Sequence, residues 1–202
     1  MNVEQPVQVD LSKYDVAVIV DISGSMGLAL GSTTRFKSAQ ETTEAIAREA
    51  DKFDADGITV GFFNNTVKMF ENVGESRVSQ IFTEVSPMGG TDTAQALSAV
   101  IATKSPTKPL IAIVITDGAP NDQNAVVDVI VKAADAIEKD EDLTILFIQV
   151  GEDQGATSFL KYLDDNLVEK HNAQFDIVDT KTMAEVEAIG NVKDLLINAI
   201  ND

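Results

Sequence analysis

Five oxygen-bearing side chains stand where short apolar runs give way to polar residues. Asp21, Ser23 and Ser25 follow the run 16–20, Asp117 follows 110–116, and Thr91 closes a Gly89-Gly90-Thr91 loop ahead of a helical stretch. Two carboxylates and three hydroxyls, with no imidazole or thiolate beside them, are hard donors; they suit Mg²⁺, Mn²⁺ or Ca²⁺ and not Zn²⁺ or Cu²⁺. Magnesium is the leading candidate. In an extended Asp-x-Ser-x-Ser segment, alternation turns Asp21, Ser23 and Ser25 to one side, while Gly24 permits the tight turn that follows. Asp and Ser are also preferred helix N-caps, but capping one helix accounts for neither Asp117 nor Thr91. Asp92 rivals Thr91 within the same loop, and Asp122 and Asp153 read as helix-start or loop acids.

Residues so far apart in the chain need a scaffold that returns them to one edge. Apolar, β-branched runs at 16–20, 58–63, 110–116, 143–150 and 175–178 predict strands. Helical periodicity predicts helices over 36–53, 78–85, 93–103, 126–137, 159–167 and 192–200. The turn Asn64-Asn65-Thr66 is too short for a crossover, so 67–73 should pair antiparallel with 58–63 at a sheet edge. The sum is an α/β fold: a doubly wound, mostly parallel six-stranded sheet with one antiparallel edge strand and helices on both faces. Open sheets of this kind bind ligands at the carboxyl ends of their strands, where successive connections leave in opposite directions. If 16–20 and 110–116 are neighbours, Asp21 and Asp117 face one crevice, and Thr91 reaches it.

With 202 residues, 44% of them hydrophobic, the chain can fill one core, and it reads as a single domain, 1–202, with 1–13 as an N-terminal extension. The absence of Cys excludes thiolate zinc sites and thiol nucleophiles. A formal net charge of −18 opposes nucleic acid and anionic membrane as partners. Residues 1–6 do not resemble a signal peptide and the apolar run 110–115 is too short to span a bilayer, so the cytoplasm is the expected location. No G-x-G-x-x-G or G-x-x-x-x-G-K-[ST] pattern occurs, and Asp21 would repel a phosphate from the first loop. Met26, Leu28 and Leu30 either rim the crevice or pack beneath the first helix. His171 reads as a solvated helix end, and 138–142 as a charged turn into which the preceding helix does not extend far.

Asp21, Ser23, Ser25, Thr91 and Asp117 together resemble the metal-ion-dependent adhesion site (MIDAS) of the von Willebrand factor A (vWA) domain family. That family carries Asp-x-Ser-x-Ser after its first strand, a Thr in a later loop and an Asp after its fourth core strand, on a Rossmann-like fold. The segment Thr116-Asp117-Gly118-Ala119-Pro120-Asn121-Asp122 looks more like the bacterial intracellular, stand-alone members than the extracellular animal ones. The resemblance implies a protein-binding module, not an enzyme, whose bound divalent cation keeps one coordination position open for the Asp or Glu of a partner. Two other readings compete. A Mg²⁺-dependent phosphatase would use Asp21 as nucleophile but needs a second Asp where this chain has Ser23. A scaffold would work through its helix faces without metal.

Overall fold

The computed structural model describes residues 9–54 and 56–202. Strand β1 (Asp15–Asp21) is followed by a 3₁₀ turn at Gly24–Gly27 and a two-residue ribbon, β2 (Ala29–Leu30) and β3 (Thr33–Thr34), before helix α1 (Arg35–Ala50). The loop 27–34, rich in small residues, thus becomes a miniature hairpin. Next come β4 (Ile58–Phe63), β5 (Val67–Val73), α2 (Glu75–Phe82), α3 (Thr93–Ile101), β6 (Leu110–Thr116) and α4 (Gln123–Ala136). The chain closes with β7 (Leu143–Gln149), α5 (Gln154–His171), β8 (Val178–Thr182), α6 (Met183–Ile189) and α7 (Val192–Ile200).

The six long strands order as β5-β4-β1-β6-β7-β8, with β5 antiparallel to β4 and the rest parallel. The expected doubly wound sheet and its antiparallel edge strand are therefore present. Strand periodicity splits the core into two layers. Val16, Val18 and Val20 of β1, with Ile111, Ile113 and Ile115 of β6, face one layer; it is covered by Ile46 of α1, Ile81 of α2 and Leu196 of α7. Ala17 and Ile19, with Ala112 and Val114, face the other, which Leu97 of α3, Ile130 of α4 and Leu163 of α5 close. Both central strands are apolar on both faces, as a sheet covered on each side requires.

Three details differ from expectation. The last strand begins at Val178, where 175–178 was expected, because the apolar run leads into an edge strand that continues through Asp179-Thr180-Lys181-Thr182. Helix α6 was not expected: its apolar residues Met183, Val186 and Ile189 are only partly buried against the core and make a stripe of two turns, too short to stand out, although its Thr182/Glu185 capping box is written in the sequence. The long helices also start or stop a few residues from their apolar limits, as caps and not periodicity set those ends. The expected N-terminal extension lies outside the described residues over 1–8, as does the reading of 1–6; within 9–13, Leu11 is buried against the core. Among the described residues no helix is long and apolar enough to cross a membrane.

Candidate functional site

From β1 the chain turns to β4 on one side, and from β6 it turns to β7 on the other. The switch point therefore lies between β1 and β6, whose registered pairs end at Val20 and Ile115. Asp21 and the pair Thr116-Asp117 emerge there side by side.

Asp21 is fully buried. Its Oδ1 accepts the Ser23 backbone N–H at 2.6 Å and its Oδ2 accepts the Thr116 hydroxyl at 2.7 Å. Burial pushes its carboxyl up to about 6; the bonds from Ser23 and Thr116 counter that rise, and the nearby Asp117 charge adds to it. Among the described residues, neutral dipoles alone hold this acid, with no ion pair to compensate it. The Ser25 hydroxyl donates to Asp117 Oδ1 at 2.9 Å, and the Ser23 and Ser25 hydroxyls lie 3.1 Å apart. Since a hydroxyl has one proton and that of Ser25 goes to Asp117, Ser23 must be the donor to Ser25. Four of the five predicted residues thus form two linked hydrogen-bond groups across 92 positions of chain.

The fifth, Thr91, is buried and arrives on a separate loop. Its hydroxyl has no hydrogen-bond partner among the described residues, whereas Asp92 caps α3 by accepting from Gln95 N–H, which frees Thr91 from that duty. The loop is strapped from three sides by asparagines. Asn64 Nδ2 donates to the Met88 carbonyl, Asn65 Oδ1 accepts Gly90 N–H, and Asn121 Oδ1 accepts Thr91 N–H while its own N–H donates to the Thr91 carbonyl. Gly24 N–H donates to the Gly89 carbonyl at 3.2 Å, which docks the loop on the Asp-x-Ser-x-Ser segment. Gly89 has φ +81°, and a Cβ there would come 2.6 Å from Asn65 Oδ1, so both backbone shape and close approach call for glycine.

Arg35 belongs to the same site and was not anticipated. Its Nη1 donates to Asp117 Oδ2 at 2.6 Å, with the Asp117 side chain wholly buried and that of Arg35 21% exposed. Thr116, the asparagines and Arg35 were missed because tertiary proximity gives them their roles. Arg35 alone left a hint, as a cation at the first position of a helix whose first turn has no acid, against the helix dipole.

The donor chemistry fits a hard divalent cation. Two buried carboxylates carry one arginine between them, and the hydroxyls around them are neutral oxygen donors. Among the described residues no three His, Cys, Asp or Glu side chains gather as a metal cluster, so hydroxyls would have to complete any coordination here. Asp122 and Asp153 are helix caps, accepting from Ala125 and Ala156 N–H. His171 ends α5 and pairs with the Tyr162 hydroxyl, and α4 stops at Ala136, before the charged run. Met26 is buried under the loop, whereas Leu28 is 55% exposed.

Residues 16–119 match the von Willebrand factor type A domain family. No protein with a curated description matches. Among solved structures, the chain is similar to a von Willebrand factor type A protein from Catenulispora acidiphila, at 16% identity and a TM-score of 0.62 over 92% of this chain and 42% of that one. It is similar to a mutant of the PilB minor pilin from Streptococcus sanguinis at 12% identity and a TM-score of 0.68, over 97% and 64%. It also resembles manganese-loaded Plasmodium vivax TRAP protein at 18% identity and a TM-score of 0.60, over 90% and 73%. At these identities the likeness is one of fold. The chain spans less than two thirds of the first two structures.

Proposed function

Because the chain belongs to the von Willebrand factor type A domain family, we propose that it is a metal-dependent protein-binding module, a single domain over 1–202 with 1–13 as an extension, and not an enzyme. Asp21, Ser23, Ser25, Thr91 and Asp117 would hold the divalent cation, magnesium first, with manganese or calcium as alternatives. The observation that carries this reading is the convergence at the switch point. Two buried acids from separate strands meet there among hydroxyls, and one of the acids has only neutral partners. A manganese-loaded relative in fold is consistent with it.

A cation bound there would supply a localised positive charge on an otherwise acidic surface, open to an Asp or Glu of a protein partner. The chain's own residues prepare that contact. Thr116 and the Ser23 backbone fix the Asp21 carboxylate, Ser25 fixes Asp117, and Asn65 and Asn121 fix the backbone of the Gly90-Thr91 loop. Leu28 and Met88, two of the three large exposed hydrophobics among the described residues, stand on the loops that build the site. They offer apolar contact around the charged centre, a composition that suits a protein surface. The net charge of −18 argues against nucleic acid and anionic lipid as the alternative.

The test has two parts. Calorimetric titration with Mg²⁺ and Mn²⁺ should show one site in the wild type and none in Asp21→Ala. Partner capture in Mg²⁺ should then disappear in EDTA and in Asp117→Ala. Capture that survives both changes would favour the scaffold reading. Mg²⁺-dependent turnover of a phosphomonoester, abolished by Asp21→Asn, would favour the phosphatase, although the position that reading needs as a general acid is Ser23, hydrogen-bonded to Ser25.

A further inference from the structure

The Arg35 side chain is held at the crevice under conditions that do not favour it. It is the first residue of α1, whose N-terminal turn carries no acid, so its charge opposes the helix dipole. Its Nε is buried and has no hydrogen-bond partner among the described residues. Its contact with Asp117 is one hydrogen bond, from Nη1 to Oδ2, where an arginine and a carboxylate commonly make two parallel ones. The other side of the guanidinium lies against Gly151, at φ +86°, where a Cβ would sit 3.1 Å from Nε. Space for the guanidinium is therefore kept by the loop after β7, while its hydrogen bonding is left incomplete. Such a pair is separable, and what it does for the site is electrostatic. Asp21 and Asp117 together carry two negative charges, and Arg35 reduces the total to one.

We propose that Arg35 is a tethered competitor for the divalent cation: it neutralises Asp117 in the metal-free protein and lowers the affinity of the site for metal. This rests on the metal-binding reading above. Arg35 acts through Asp117, as a positioning and charge-setting residue, and is not itself a ligand. Its retained positive charge also leaves the loaded site one unit more positive, which favours a partner's carboxylate. The same arginine thus weakens metal binding and strengthens the metal-dependent contact.

The direct experiment is calorimetric titration of Mn²⁺ and Mg²⁺, with no partner present, into the wild type, Arg35→Gln and Arg35→Lys at low ionic strength. Arg35→Gln should bind metal about tenfold more tightly than the wild type, because a like charge has been removed from beside the cation. Arg35→Lys, which keeps the charge, should stay near the wild type. Equal or weaker binding in Arg35→Gln, with the wild type still binding, overturns the role of Arg35 and leaves the metal site standing. Absence of binding in all three forms removes both. A second measurement needs no variant: the Arg35 side-chain Nε–H resonance of the wild type, followed by NMR during Mg²⁺ titration, should shift with the calorimetric dissociation constant. A resonance that stays in place while Mg²⁺ binds contradicts the proposal.

Discussion

Two of the places where buried or half-buried acids gather, the crevice and the β8 edge, differ in what surrounds those acids. In the crevice, Asp21 and Asp117 are served by hydroxyls that bond to side chains: Thr116 to Asp21, Ser25 to Asp117, and Ser23 to Ser25. At the β8 edge, Asp179 is buried and ion-paired with Lys181, its Oδ2 lacking a partner, and Asp164 and Asp202 lie close enough to act on one another's charge. Burial raises the carboxyls of Asp164, Asp176 and Asp202 there, Asp164 to about 6. The two β8 hydroxyls there are committed elsewhere, Thr180 to the Leu160 carbonyl and Thr182 to the capping box of α6. Acid density is thus shared by both regions. What separates them is that the crevice hydroxyls, on the turn after β1 and at the end of β6, bond to the acids themselves or to one another.

The largest effect that could break this contrast comes from exchanging the lesions. Asp21→Ala should abolish detectable Mg²⁺ or Mn²⁺ binding, since losing a ligand costs more than the roughly hundredfold at the upper end of losing a residue that supports one. Asp179→Ala should leave metal affinity unchanged but destabilise the fold by about 3 kcal/mol, since it removes the ion-pair partner of a largely buried Lys181. Calorimetry and chemical denaturation of both variants check the pair. If Asp179→Ala weakened metal binding as much as Asp21→Ala, the two regions would have been misassigned.

A smaller effect sharpens the role of the loop straps. Asn121→Ala removes the side-chain bond to Thr91 N–H, and metal affinity should fall by about tenfold while global stability changes little. Loss of stability without loss of affinity, in the same titrations, would make Asn121 a structural residue only.

The chain's pattern of strands was readable because a sheet covered on both faces leaves apolar runs with no polar interruption, as at Ile111 to Ile115. The hairpin was readable because three residues between 63 and 67 cannot cross over. Legibility falls where burial does: α6 is short and its apolar face is only partly buried, and β8 turns polar after Val178. Within the site, Asp21, Ser23 and Ser25 are legible from spacing, and Asp117 from its place after an apolar strand. Arg35, 82 positions from Asp117, and the asparagines, 25 to 30 positions from the loop residues whose N–H groups they hold, are legible only in three dimensions. The charge of −18, which as a sum points to basic partners, divides into a few acids with a defined setting and many on the surface.

The smallest expected effect concerns pH at the β8 edge. Asp164 titrates near 6 in the fold against an ordinary value of 3.8, so its ionised form is disfavoured by folding. That penalty is fully present above pH 6 and is relieved as pH falls toward 3.8. Asp164→Asn should therefore be more stable than the wild type at pH 7.5 and lose the advantage by about pH 4, while its metal affinity stays that of the wild type. Thermal melts across that range check the sign; a difference that grows on acidification would contradict it.

The most direct test is crystallographic. Crystals grown in millimolar Mn²⁺ and measured at the manganese absorption edge should show one strong anomalous peak in the crevice, among Asp21, Ser23, Ser25, Thr91 and Asp117, and none at the β8 edge. An empty crevice, or a peak beside Asp179 instead, would contradict the account.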